Sequence, residues 1–127
     1  MKLRIVVADD NPEFLDKFVS ILEGEFEIIA IARDGKSALD IILARHPDLA
    51  ILDLEMPGLN GIEVTRELAK SLPTVAVVLC SVESDPEIIE AARLAGVGGY
   101  VFKIRIARDL VEAVKSAARG DFFCSPS

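Results

Sequence analysis

Five polar side chains that could perform chemistry stand where short apolar segments of the 127-residue sequence end. They comprise three carboxylates, a hydroxyl and an amine: Asp9, Asp10, Asp53, Ser81 and Lys103. Three carboxylates brought together raise one another's pKa, so such a cluster is costly unless cations neutralise it. The lysine supplies one positive charge, and a divalent metal ion can supply the rest. Oxygen ligands without a nearby His or Cys favour Mg²⁺, or Mn²⁺, over zinc.

This set of side chains is suited to accepting a phosphoryl group. An accessible carboxylate such as Asp53, beside a metal ion and a lysine, can act as the nucleophile. The metal and Lys103 would neutralise charge on the transferring oxygens, and Ser81 can donate a hydrogen bond to the product. The adjacent Asp9 and Asp10 can hold the metal, one directly and the other through water. Taken singly, either of these two aspartates could instead cap a helix.

The sequence contains five short apolar segments rich in β-branched residues, and the polar side chains lie at or just after the ends of four of them. The five segments cover 3–8, 26–32, 49–54, 75–81 and 99–102. Because they do not alternate cleanly between apolar and polar residues, they are typical of strands buried on both faces, as in a parallel sheet.

Helix signals fill the intervals between the predicted strands. Starts are predicted at Asn11-Pro12, Asp34, Asn60 and Asp85-Pro86, and Asp109 falls in the first turn of a fifth helix. Gly24, Pro47, Pro73, Gly96 and Gly120 lie at or beyond the predicted ends. Five β-α units with right-handed crossovers make a doubly wound α/β sandwich. In that fold the active crevice lies beyond the carboxyl ends of the strands, where the polar side chains stand.

Composition argues against several classes of function. Asp and Glu number 21 against 14 Lys and Arg, a formal charge of −7, which argues against nucleic-acid or anionic-membrane binding by this domain. No apolar stretch approaches the roughly 18 residues of a membrane span, and no secretory signal pattern is present. Cys80 and Cys124 form no metal or CxxC pattern, and Cys80 is predicted to be a buried reduced thiol. We expect a single, cytoplasmic domain.

Over about residues 2–119, the chain resembles the receiver domain of two-component response regulators. The most specific segment is D-x-x-M-P-G-x-x-G, which starts at Asp53, with Ser81 and Lys103 following at the family's spacing. The segments that support the resemblance are 7–11 (VADDN), 33–35 (RDG), 46–58 (HPDLAILDLEMPG) with Gly61, 79–81 (LCS) and 95–103 (AGVGGYVFK). The resemblance implies a flavodoxin-like, five-stranded parallel sheet of order 2-1-3-4-5 with five helices.

The resemblance also implies a role for each site residue. Asp53 corresponds to the aspartate that a sensor histidine kinase phosphorylates, and Asp9 and Asp10 to the acidic pair that binds Mg²⁺. The backbone carbonyl of Glu55 would be a further metal ligand. Once Asp53 is phosphorylated, Lys103 would pair with the phosphoryl group. Ser81 corresponds to the Ser/Thr hydroxyl that moves in the conformational switch. Tyr100 matches the aromatic residue that turns inward when that hydroxyl moves.

The output implied is a shift of the surface formed by the fourth helix, fifth strand and fifth helix. Homodimers are expected through that surface or through the first and fifth helices. Residues 1–119 would be the receiver and 120–127 the start of a linker or tail. That tail is similar to LuxR/NarL-type regulators, in which a helix-turn-helix DNA-binding domain follows. No enzyme activity is expected beyond self-phosphorylation and autodephosphorylation.

Three alternatives remain open from the sequence. The chain could be a stand-alone single-domain receiver, or a pseudo-receiver that acts by protein contact without phosphorylation. It could also be an aspartate-nucleophile phosphatase, because Glu55 lies two residues after Asp53, where such enzymes place an acid/base carboxylate.

Three departures from the family pattern yield further predictions. Ile104 follows Lys103 where many receivers have proline, and Ile104 and Ile106 are predicted to take part in dimerisation or partner contact. Glu55 and Glu83 are predicted to flank the site entrance and to affect the lifetime of the phosphorylated form.

Overall fold

The computed structural model describes residues 2–126 and alternates strands with helices. The elements are β1 (Arg4–Ala8), α1 (Pro12–Leu22), β2 (Glu27–Ala32), α2 (Gly35–Arg45), β3 (Leu49–Asp53), α3 (Gly61–Ser71), β4 (Ala76–Ser81), α4 (Pro86–Ala95), β5 (Gly99–Phe102), a 3₁₀ turn (Lys103–Arg105), α5 (Ile106–Ala118) and β6 (Phe123–Cys124). No helix among residues 2–126 is long and apolar enough to cross a membrane.

The strands form one parallel sheet of order β2-β1-β3-β4-β5-β6. The flavodoxin-like α/β fold and the order of the first five strands are as predicted, but the expected sheet of five strands is wrong. The sixth strand comes from the segment after α5. It contains only two residues, too few to show a periodic pattern, and it forms because β5 would otherwise leave its outer backbone groups unpaired.

In β1, β3, β4 and β5, successive apolar side chains enter different hydrophobic clusters on the two faces of the sheet, which explains why these strands show no polar alternation. Ile51 lies in a cluster with Phe18 of α1 and Leu110 of α5. Its neighbour Leu52 lies in the other cluster, with Ile42 of α2 and residues of α3 and α4. All five residues of β3 are buried, so this central strand holds its last residue, Asp53, in a fixed position.

The predicted caps fix the start of each of the first four helices close to the carboxyl edge of the sheet. The side chain of Asn11 accepts hydrogen bonds from Glu13 and Phe14 at the start of α1, and those of Asp34, Asn60 and Asp85 cap α2, α3 and α4. Asn60 forms a reciprocal capping box with Glu63, an arrangement that satisfies two backbone donors at once. These bonds hold the loops that surround the polar side chains.

Candidate functional site

The structure brings the predicted polar side chains together at the carboxyl edge of the sheet. Asp9 and Asp10 follow β1, Asp53 and Ser81 are the last residues of β3 and β4, and Lys103 directly follows β5. The strand register aligns these ends, because Asp53 is paired with Cys80 and Ser81 with Phe102. Cys80 is a buried free thiol, as predicted.

Lys103 lies between two of the carboxylates. Its Nζ is 2.8 Å from Oδ2 of Asp9 and 3.3 Å from Oδ1 of Asp53, and all three side chains are buried. The same ammonium lies 4.1 Å from the centre of the Phe14 ring, which is a cation–π distance. Helical spacing in the sequence gives no signal for the contact between Phe14 and Lys103.

Burial and the close contacts shift the pKa values of Asp53 and Lys103. Burial raises the pKa of Asp53, and the charge of Asp9 raises it further, to about 6, although Lys103 opposes both effects. For Lys103, burial favours the neutral amine, but the contact with Asp9 and the charge of Asp53 outweigh it and raise the lysine pKa. Lys103 is therefore a permanent cation, and Asp53 is mostly ionised at neutral pH.

The carboxylates fit a divalent cation. Asp9, Asp10 and Asp53 each present an oxygen within 4.8 Å of the others. Oδ1 of Asp9 accepts a hydrogen bond from the Asn11 N–H at 2.9 Å. The fully buried Oδ2 of Asp9 forms the ion pair with the Lys103 ammonium at 2.8 Å. Three carboxylates facing one ammonium leave a net negative charge, and their oxygens match the donor set that Mg²⁺ prefers.

A solvent-open cleft of about 540 Å³ leads to these groups. Glu55 is exposed and lines it, as predicted. Glu83 is not among its lining residues, because one carboxylate oxygen of Glu83 accepts a hydrogen bond from the Asp85 N–H at 3.0 Å. The lining consists of Asp10, Asn11, Asp53, Glu55, Met56, Pro57, Asn60, Ser81, Val82 and Lys103.

Gly61 is required where α3 passes the phosphoacceptor candidate. A Cβ atom at this position would lie 2.7 Å from the backbone oxygen of Asp53 and 2.6 Å from Cδ2 of Leu79. Because neither group can move without disturbing the sheet, the start of α3 can approach β3 this closely only with glycine.

Two hydroxyl side chains meet the backbone of Glu83. Oγ of Ser81 accepts a hydrogen bond from the Glu83 N–H at 2.9 Å, and the hydroxyl of Tyr100 donates to the Glu83 carbonyl at 2.7 Å. Tyr100 is fully buried, and this burial raises the pKa of its phenol. The tyrosine therefore lies inward, in contact with the same residue as Ser81.

Ile104 and Ile106, both predicted to take part in dimerisation or partner contact, lie in different environments. Ile104 is 93% exposed, whereas Ile106 is 5% exposed and belongs to the core. The reason is the helical period: Ile106 begins α5 on its inner face, while Ile104 points away from the sheet in the preceding turn.

The fold and the site together define a class of protein, the flavodoxin-like α/β domains with an acidic pocket, a lysine and a hydroxyl at the carboxyl edge of the sheet. Residues 5–115 match the family model described as response regulator receiver domain. The chain belongs to this family of two-component systems.

The curated proteins to which this chain is similar include transcriptional regulators. The chain is 35% identical over 127 residues to the transcriptional regulatory protein DegU of Brevibacillus brevis, which covers 98% of this chain and 54% of that protein. It is 36% identical over 129 residues to the probable transcriptional regulatory protein NarL of Mycobacterium tuberculosis, covering 99% of this chain and 59% of that protein. The chain thus spans about half the length of these curated relatives.

The fold agrees with a solved receiver of the same kind. The signal receiver domain of the NarL response regulator from Mycobacterium tuberculosis superposes with a TM-score of 0.89 at 35% identity. The match covers 94% of this chain and 98% of that one.

Proposed function

We propose that this domain is a phosphorylation-activated switch in which Asp53 accepts a phosphoryl group from the phosphohistidine of a sensor histidine kinase. The observation that supports this most directly is the buried Lys103 ammonium between Asp9 and Asp53, at the end of an open cleft. It places a cation beside the carboxylate that would react. The reaction forms an O–P bond to Asp53 and breaks the P–N bond to the kinase histidine.

The residues of this chain would prepare and stabilise that transfer. Asp53 is the nucleophile, and its pKa of about 6 leaves it mostly ionised at neutral pH. Lys103 would pair with a phosphoryl oxygen and Ser81 would donate its hydroxyl hydrogen to another. Asp9, Asp10, Asp53 and the Glu55 carbonyl would hold Mg²⁺, or Mn²⁺. The metal ion, when bound, supplies positive charge that offsets the charge on the transferring oxygens.

An apolar groove beside the cleft is suited to the kinase. It has a volume of about 820 Å³ and runs between α1 and the start of α5. Phe14, Ile21, Val82 and Ile104 are among its lining residues, and Val82 and Ile104 are 76% and 93% exposed. A helical segment that carries the phosphohistidine could pack there and present the phosphoryl group to Asp53.

The output would follow from the Ser81–Glu83–Tyr100 contacts. When Ser81 turns toward a phosphoryl group, its oxygen leaves the Glu83 N–H, and the loop before α4 can take another conformation. The surface of α4, β5 and α5 would change with it. Because the relatives are transcriptional regulators about twice as long, we extend the proposal to control of transcription through a DNA-binding domain following residues 120–127.

Labelling tests the assignment. Incubation with acetyl phosphate and Mg²⁺ should add one phosphoryl group, measured as a mass increase, and Asp53→Asn should abolish it. Asp40→Asn, the same change at an exposed position of α2, should leave labelling intact. Label that persists in Asp53→Asn would contradict the assignment, and absence of both labelling and Mg²⁺ binding would favour a pseudo-receiver.

A further inference from the structure

The segment after α5 returns to the sheet and docks on the outer edge of β5. The Phe123 N–H donates to the Gly98 carbonyl at 3.1 Å, and the Ser125 N–H donates to the Tyr100 carbonyl at 2.9 Å. Where the segment leaves α5, the Asp121 N–H donates to the Ser116 carbonyl at 3.0 Å. The backbone is thus bound at Gly98, just before β5, at Tyr100 of β5 and at Ser116 of α5.

Ser125 adds two side-chain bonds that join β5 to α5. Its Oγ accepts a hydrogen bond from the Phe102 N–H at 3.1 Å and donates one to Oδ2 of Asp109 at 2.7 Å, both in buried surroundings. Asp109 is also bound to Nε of Arg105 at 2.7 Å. Ser125 itself is only 4% exposed, which is unusual for a serine so close to the end of the described segment.

These hydrogen bonds are made by residues on both sides of Lys103 in the chain. Phe102, whose N–H is bound by Ser125, is the last residue of β5 and immediately precedes Lys103, while Arg105 and Asp109 follow it. Without the docked segment, the Phe102 N–H would lose its acceptor at an open sheet edge. The position from which the lysine side chain reaches Asp9 and Asp53 would then be less constrained.

We propose that Ser125 is a positioning residue for Lys103, and that docking of β6 is coupled to anion binding at the Asp53 site. This inference rests on the function proposed above. The docked strand holds the end of β5 in the conformation in which Lys103 is directed into the site. Occupation of the site should therefore stabilise the docked strand, and loss of docking should weaken occupation by the same factor, because coupling between two sites is reciprocal.

A titration with beryllofluoride and Mg²⁺ tests the coupling from the side of the site. Tyr100 is the single tyrosine and the chain has no tryptophan, so intrinsic fluorescence reports on one residue of β5. Ser125→Ala should weaken apparent beryllofluoride affinity by about fivefold or more, the lower end of typical coupling. Ser125→Thr, which keeps the hydroxyl, should restore most of it. Ser71→Ala, the same change as in Ser125→Ala at an exposed position of α3, should bind like the unmodified protein.

Hydrogen exchange on the unmodified chain tests the coupling from the side of the strand and needs no variant to fold. The Phe123 and Ser125 amides should exchange more slowly when beryllofluoride and Mg²⁺ are bound. If beryllofluoride binds but these amides exchange at an unchanged rate, or Ser125→Ala binds as tightly as Ser71→Ala, the coupling is refuted and the proposed function stands. If the unmodified chain binds no beryllofluoride, the proposed function fails and the coupling fails with it.

Discussion

Ser81 and Tyr100 are connected through the backbone of one residue, since the serine oxygen binds the N–H of Glu83 and the tyrosine hydroxyl binds its carbonyl. Neither contact is visible in the spacing of the sequence. Because of this shared contact, Ser81, whose hydroxyl is expected to meet a phosphoryl group, and Tyr100, the only tyrosine of the chain, both bind the short loop between β4 and α4.

Removing the Tyr100 hydroxyl should destabilise the domain. Tyr100→Phe leaves the Glu83 carbonyl without its donor, and loss of such a partly buried hydrogen bond costs about 1 kcal/mol. Urea unfolding followed by circular dichroism measures the difference, with Ser71→Ala as an exposed-site control. Stability equal to that of the control would show that the bond contributes nothing.

The pH dependence of stability should report the raised pKa of Asp53, measured in metal-free protein with a chelator. The folded-state pKa is about 6 against a usual 3.8, so the folded state binds this proton more tightly than the unfolded one does. The contribution of Asp53 is therefore most favourable below about pH 4 and is lost as pH rises through 6.

Asp53→Asn removes this pH dependence. The rise of the Asp53 pKa from 3.8 to about 6 corresponds to about 3 kcal/mol, and solvent screening at the open cleft reduces this contribution to about 1–2 kcal/mol. At pH 7 the variant should thus be more stable than the unmodified chain by roughly that amount. Denaturation curves at pH 4.5 and 7 measure both proteins, and a variant no more stable at pH 7 would contradict the pKa.

Glu55 and Glu83 should differ in their effect on the phosphorylated form. Glu55 lines the cleft, whereas the Glu83 carboxylate is bound outside it. If Glu55 hinders the approach of water, Glu55→Ala should shorten the lifetime of phospho-Asp53 severalfold, and Glu83→Ala should change it less. Loss of labelled phosphate over time measures both variants.

The same lifetime measurement distinguishes the receiver from an aspartate-nucleophile phosphatase. If Glu55 acted as a general acid/base, its removal would slow hydrolysis by about a hundredfold or more instead of accelerating it. Turnover of a phosphate ester by the unmodified chain would support that alternative, and equal lifetimes in all three proteins would refute a role for either glutamate.

Ile104 should contribute to association, because an isoleucine that is 93% exposed beside an apolar groove gains by burial against a partner. Ile104→Asp should weaken any dimer formed in the presence of beryllofluoride, as seen by sedimentation velocity. Ile31→Asp, at an exposed position of β2 near the opposite edge of the sheet, is the matched control. Identical sedimentation of the two variants would exclude Ile104 from the interface.

Much of the fold follows from local signals in the sequence. The caps at Asn11, Asp34, Asn60 and Asp85 act within three residues of themselves, and the buried strands are recognisable by their apolar content alone. The clustering of Asp9, Asp53 and Lys103 also follows, because the carboxyl ends of parallel strands meet at one edge.

The features missed are those that depend on packing between distant segments. The Phe14 ring meets the Lys103 ammonium because the lysine extends toward Asp9, just before α1. The Glu83 carboxylate does not line the cleft because it accepts a hydrogen bond from the Asp85 N–H. The sixth strand forms because β5 has an open edge and Ser125 finds both a donor and an acceptor there.

The sequence by itself determined the α/β class, the order of local elements and the identity of the acidic, lysine and serine side chains at the strand ends. Only the tertiary structure decided that Phe14 lies against the Lys103 ammonium and that Ser125 binds the N–H of Phe102, the residue before Lys103. The physical reason is the distance along the sequence over which each interaction acts. Periodicity and capping act over a few residues, whereas a bond between Phe102 and Ser125 exists only after the sheet has fixed where both of them lie.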